Sequence, residues 1–183
     1  MTKKKLKVAT TSLAGCFGCH MSLLDIDEKI LTLLEHIEFD RTPLVDIKHI
    51  SHADIGIIEG GVAHAENVEV LKEFRERCDI LIAFGACAIN GGIPAMRNHF
   101  EVEDCLREAY VDGIGVEHAK NKKIPDDKEI PLMLNKVHPI HEVVKVDYFL
   151  PGCPPPAEAI WTFLNELLAG KEISIPYTAT HYD

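Results

Sequence analysis

Apolar residues along this chain follow two periods. Residues 6–10, 54–59, 80–84 and 145–150 are short runs rich in Val, Ile, Leu and Phe, bounded by glycine, proline or charge, and they predict four strands. Between them the spacing turns helical. Leu23, Ile26, Ile30, Leu33, Leu34 and Ile37 form one stripe, and Ser22 with Asp25 three residues on gives the capping-box pattern that would start that helix at Ser22. Further helices are predicted over residues 67–77, over 100–110, and from Pro155 or Pro156 through Trp161 and Leu164 to Leu168, closed by Gly170. Residues 111–142, with two glycine steps, a lysine-rich patch and several prolines, have no period and predict an irregular insertion or docking loop before the last strand. The tail beyond residue 170 predicts extended chain, and no internal repeat is present.

Strands alternating with helices predict an α/β fold, a flavodoxin-like doubly wound parallel sheet of strand order 2-1-3-4. At 183 residues the whole chain, 1–183, reads as a single domain. In such a sheet ligands bind at the carboxyl ends of the strands, near the switch point between the first and the third.

A net charge of −10 excludes a nucleic-acid face, which needs clustered cations; Lys3 to Lys5 and Lys120 to Lys123 read as solvated ends or loops. No run approaches the ~18 apolar residues of a membrane span, the N-terminal lysines do not lead into a signal core, and no twin-arginine pair occurs. These features predict a cytoplasmic protein that binds neither nucleic acid nor membrane. In that compartment the six cysteines are candidate metal ligands or buried thiols, not disulfides.

Four of the six fall after predicted strands. Cys16 and Cys19 follow the first, Cys87 the third and Cys153 the fourth, so all should converge on one sheet edge, whereas Cys78 and Cys105 lie elsewhere and read as ordinary thiols. Four thiolates suit an iron-sulfur cluster; they could also hold zinc, and a lone Cys-Xaa-Xaa-Cys could do thiol-disulfide chemistry. Zinc sites more often use two short pairs, and here only one pair is short. Thr10-Thr11-Ser12 on the first loop could cradle a phosphate, so FMN is a possible ligand on this chain, although the cluster would already fill the crevice.

The segments Gly15-Cys16-Phe17-Gly18-Cys19-His20-Met21-Ser22-Leu23-Leu24-Asp25, Glu59-Gly60-Gly61, Gly85-Ala86-Cys87-Ala88, Pro94-Ala95-Met96-Arg97-Asn98 and Pro151-Gly152-Cys153-Pro154-Pro155 resemble the small subunit of nickel-iron hydrogenases. Within that family the chain is most similar to the small (delta) subunits of soluble NAD-reducing enzymes. The resemblance implies one 4Fe-4S cluster on Cys16, Cys19, Cys87 and Cys153. It also implies a large-subunit partner holding the nickel-iron site, and diaphorase subunits, with flavin and iron-sulfur clusters, that reduce NAD. The chain would then be an electron relay within an oxidoreductase, with no catalytic residue of its own. It lacks the cysteine-rich C-terminal region of three-cluster small subunits and the adjacent cysteine pair of the related quinone-reductase subunit. A hydrogenase feeding a deazaflavin or a disulfide reductase would carry the same ligands, and a zinc-stabilised binding module is the rival from another class. Glu59 at a strand end and His20 beside Cys19 are candidates for a proton route; His20 alone reads better as a solvated or interface histidine, and Glu59 equally well as a cap on the backbone that follows it.

Overall fold

The computed structural model describes residues 4–116 and 122–179. Its centre is a parallel sheet of five strands: β1 (Leu6–Ser12), β2 (Ile37–Phe39), β3 (Ala53–Glu59), β5 (Cys78–Phe84) and β7 (Tyr148–Leu150), in the order β2-β1-β3-β5-β7. A second, antiparallel pair joins β4 (Val62–His64) to β6 (Met133–His138). The helices are α1 (Gly18–Leu24), α2 (Lys29–His36), α3 (Ala65–Arg77), α4 (Ala86–Asn90), α5 (Val102–Arg107) and α6 (Ala157–Leu168). None of the described helices is long and apolar enough to cross a membrane.

The two faces of the sheet are read directly by the period-two alternation of its strands. Val8, Ile55, Ile57, Ile82 and Phe84 point to the side covered by α1, α2 and α6, where Leu23, Leu33, Ile160 and Phe163 meet them. Ala9, Ile58, Leu81 and Ala83 point to the other side, against Leu71 and Phe74 of α3, both without exposed surface. Both faces being buried explains why these strands are nearly continuous apolar runs. Full burial of each large side chain contributes about 1.5–3 kcal/mol.

The predicted order is present, and it is extended by a further strand, but different strands fill it. Position two belongs to β2, three residues pairing with Leu6, Lys7 and Val8, which the sequence pattern had merged into the helical stripe through Ile37. The strand at residues 54–59 takes position three, beside β1, in register from Val8 opposite Ile55 to Ser12 opposite Glu59. Three other expectations need correction. The helix does not start at Ser22: α1 begins at Gly18, a turn containing Asp27 at φ 53° separates it from α2, and the Ser22 hydroxyl is buried, donating to the Pro155 carbonyl at 2.5 Å. The insertion at 111–142 is not irregular throughout, since β6 and a 3-10 turn at Ile140–Glu142 lie within it. The last strand is only three residues long, Asp147 turning its carboxylate back towards the sheet.

That carboxylate fastens the sheet's edge. Asp147 Oδ2 accepts from Arg75 Nη1 at 2.6 Å and from the Leu81 N–H at 2.9 Å. Partial burial works against its ionisation, but these donors prevail and hold the carboxyl below the usual carboxylate range. A pKa lower in the folded than in the unfolded chain adds stability that is complete above the unfolded value, near ~3.9, and drains away as pH falls through the folded one. Asp147→Asn is therefore expected to cost about 1–3 kcal/mol in a urea melt at pH 7. The gap from the unaltered protein should narrow in a melt near pH 3; a gap of the same size at both values would contradict the charge-based account.

Candidate metal centre

Every strand of the parallel sheet delivers its outgoing loop to the same edge. The loop leaving β1 carries Cys16, and Cys19 follows in the first turn of α1. Gly85 closes β5 and opens α4, whose second residue is Cys87, and Cys153 lies three residues past the end of β7. Backbone bonds continue the pairing into these loops: Gly85 N–H donates to Leu150 O at 2.9 Å, Ala86 N–H to Gly152 O at 2.7 Å, and Leu13 N–H to Glu59 O at 2.9 Å. The positions of the cysteines are thus fixed by the sheet register. All four line one cavity, together with Phe17 and Glu59. No disulfide forms among the six cysteines, all of which lie within the described residues.

Two glycines make the space. A Cβ at Gly85 would stand 2.3 Å from Cys19 Sγ, and one at Gly92 would stand 2.7 Å from Cys87 Sγ, so at both places a sulfur occupies the volume that any side chain would need. Among the described residues no group of three or more His, Cys, Asp or Glu side chains is gathered tightly enough to hold a single metal ion. Donors spread around the walls of a cavity can instead accommodate a group that takes one thiolate at each corner, as a 4Fe-4S cluster does. The residues present fit such a group.

Burial, the nearby Glu59 carboxylate and the neighbouring Cys87 and Cys16 push the Cys19 thiol well above its ordinary range. Burial also raises the Cys87 thiol, against the effect of the Ile93 N–H directed at it. Metal binding must displace these protons, because the thiolate is the ligand. Cys78 lies away from the cavity, at the start of β5, its thiol raised to about 12 chiefly by burial, and Cys105 is half-buried in α5.

His20 is not solvated. It has no exposed surface, because α1 starts four residues before Ser22 and places the imidazole on the helix's inner side. Its Nε2 lies 2.8 Å from Thr10 Oγ1, which lies 2.6 Å from Thr42 Oγ1, and its backbone N–H donates to Glu59 Oε2 at 3.0 Å. The ring stacks on Phe17, with centroids 4.6 Å apart. Its Nδ1 stands 3.2 Å from Glu59 Oε2 at an angle too poor for a hydrogen bond. Burial alone would raise the Glu59 carboxyl, but donation from His20 and from Ser12, whose hydroxyl is 2.6 Å away, brings it below the usual range. Sequence reasoning gave Phe17 and Thr42 no role of their own in this site and read Ser12 only as a phosphate contact, although Phe17 lies within the Gly15 to Asp25 motif. The hydroxyls of Thr10 and Ser12, two of the three residues on which the expectation of phosphate binding rested, are thus bonded to internal partners beside a carboxylate.

Residues 16–167 match the family described as NADH ubiquinone oxidoreductase, 20 Kd subunit. The delta subunit of the NAD-reducing hydrogenase HoxS of Cupriavidus necator is 50% identical over 180 residues, covering 98% of this chain and 86% of that one. One subunit of the F420-non-reducing hydrogenase of Methanothermobacter thermautotrophicus is 39% identical over 96% of this chain, which spans 57% of that longer protein. A chain in the crystal structure of an NAD+-reducing [NiFe]-hydrogenase in the H2-reduced state superposes with a TM-score of 0.94 at 54% identity, covering 98% of this chain and 100% of that one. With the family match, the sequence identity and the fold in agreement, the chain belongs to the family of the 20 Kd subunit of NADH ubiquinone oxidoreductase and, within it, to the small subunits of NAD-reducing nickel-iron hydrogenases.

Proposed function

We propose that this chain holds one 4Fe-4S cluster on Cys16, Cys19, Cys87 and Cys153. We further propose that it relays electrons from a nickel-iron site on the large subunit towards diaphorase subunits that reduce NAD. The observation that carries this reading is the convergence of four thiols from three strand ends on one cavity, with Gly85 and Gly92 leaving room for sulfur. A cluster bound there would supply one-electron transfer. The chain's own residues would hold it, exclude water with Phe17 and Pro154, and through Glu59 and His20 fix the first turn of α1 on which Cys19 sits.

Exposed Ile93, Met96 and Phe100 flank Cys87 in sequence and suit burial under the large subunit, with residues 111–142 as a further docking segment. Spread donors favour a cluster over a single zinc ion, which needs all four sulfurs at about 2.3 Å. A proton route through Glu59 and His20 is a second reading, favoured by the line of exchangeable groups from Glu59 through His20 and Thr10 to Thr42.

Nickel-iron ligation of the kind implied needs four further thiolates, and only Cys78 and Cys105 remain. The isolated chain is therefore expected to contain iron and sulfide, no stoichiometric nickel or zinc, and to reduce no dye with hydrogen. Copurified with its partner subunits it should support hydrogen-dependent reduction of NAD in preference to a deazaflavin. Hydrogen oxidation by the single chain, or zinc in place of iron, would overturn the proposal.

A further inference from the structure

Phe17, between Cys16 and Cys19, holds a backbone that its residue type disfavours. At φ 67° and ψ 6° it lies in the left-handed region, which a residue with a Cβ occupies roughly tenfold less readily than the right-handed one. Packing compensates. The Phe17 ring lies flat on the His20 imidazole, with centroids 4.6 Å apart and planes 3° from parallel. His20 has no exposed surface and is itself fixed, by Thr10 Oγ1 2.8 Å from its Nε2 and by its backbone N–H donating to Glu59 Oε2 at 3.0 Å.

The turn at Phe17 aims one donor at the metal centre. An N–H reaches back to a group two residues earlier only where the residue between them turns, with ψ near 0°, and Phe17 makes that turn. The Gly18 N–H accordingly donates to Cys16 Sγ at 3.4 Å. In extended backbone at Phe17 the same N–H would point away from that sulfur. The contact is close from the side-chain position as well, since a Cβ on Gly18 would stand 3.1 Å from Cys16 Sγ. A line of contacts thus runs from the Cys16 sulfur through Gly18, Phe17 and His20 to Thr10 on β1 and Glu59 on β3.

We propose that Phe17 is a positioning residue for the reduction potential of the cluster: held in its left-handed turn by the His20 ring, it keeps the Gly18 N–H on Cys16 Sγ, and this bond raises the potential. The inference rests on the reading of Cys16 as a ligand. A donor to a ligating sulfur stabilises the more negative, reduced state more than the oxidised one, so losing it lowers the potential. The His20 ring enters as a packing surface and not through its charge.

The test is a potentiometric titration of the assembled complex, following the electron paramagnetic resonance of this cluster, with Phe17→Gly and Phe17→Val compared. Both lose the ring, so the water admitted by its loss is common to them. Glycine enters the left-handed region freely, whereas a β-branched residue is an outlier there and turns towards extended backbone. At the midpoint of Phe17→Gly, the ratio of reduced to oxidised cluster in Phe17→Val should be lower by about threefold, the part of a hydrogen bond to a charged acceptor that depends on one added electron. Phe17→Ala, with a Cβ but no branch, should fall between the two, and serves if the valine variant does not assemble. Arg75→Lys breaks a fork onto the Cys78 and Asp79 carbonyls at the far end of β5. It should lower the melting temperature and leave the midpoint unchanged. Equal midpoints across the Phe17 variants, or a shift of the same size in Arg75→Lys, would overturn the inference while Cys16→Ala still abolished the cluster. An unaltered cluster spectrum in Cys16→Ala would instead overturn the ligand assignment beneath it.

Discussion

A Cys19→Ala subunit is expected to lose the iron-sulfur absorption, and the complex containing it to lose hydrogen-dependent NAD reduction by at least about a hundredfold. Loss of an outer partner of a metal ligand already costs about 10–100-fold, and a ligand itself should cost more. Cys19 sits in the first turn of α1 with its sulfur packed against Gly85 and beside Glu59, on the cavity wall. Alanine at Cys16, Cys87 or Cys153 should have the same spectroscopic result, whereas Cys78→Ala and Cys105→Ala should leave the spectrum unchanged. Iron and sulfide analysis beside the visible spectrum measures this, and a normal 4Fe-4S spectrum in the Cys153→Ala protein would remove the assignment.

The second large effect is expected at a residue with no chemistry. Gly85 sits at φ 84°, ψ 167°, a region that only glycine occupies without strain, and a Cβ there would stand 2.3 Å from Cys19 Sγ. Gly85→Ala should therefore cost about 1–3 kcal/mol in backbone strain and, in addition, drive Cys19 from its place, so that cluster content falls as it does in Cys19→Ala. Gly170→Ala separates the two contributions. It too has positive φ, 62°, but nothing within 4 Å of its Cβ position, so it should lose some stability and keep a full cluster. Equal cluster content in the two variants would mean that the tight contact at Gly85 does not govern the site.

Much of this was legible in the sequence, and the reason is physical. Strands buried on both faces announce themselves as apolar runs, and cysteines placed after such runs must reach one edge if the sheet is parallel. That sufficed to bring Cys16, Cys19, Cys87 and Cys153 together. Short and polar features were not legible. β2 has three residues continuing the stripe of α2, and β6 exists only because Val62–His64, sixty-nine or more residues earlier, offers it an edge. Ser22 and Asp25 made a plausible cap, yet Phe17 in the left-handed region starts the helix earlier and turns both Ser22 and His20 inward. Thr42 and Ser12 are ordinary loop and strand residues until the fold sets them beside His20 and Glu59.

The cavity wall has a chronology. Phe17 and the first two cysteines precede β2, Glu59 and Cys87 arrive with the middle strands, and Cys153 comes into place only when β7 pairs with β5 at the edge of the finished sheet. Since chains emerge N-terminus first, three of the thiols are synthesised well before the fourth, and a stalled or truncated chain lacks one wall of the seat. Under the proposed ligand set, loading with metal would need a chain that has folded to its last strand, and once made it would tie the first loop to the last and restrict the long-loop freedom that unfolding otherwise regains.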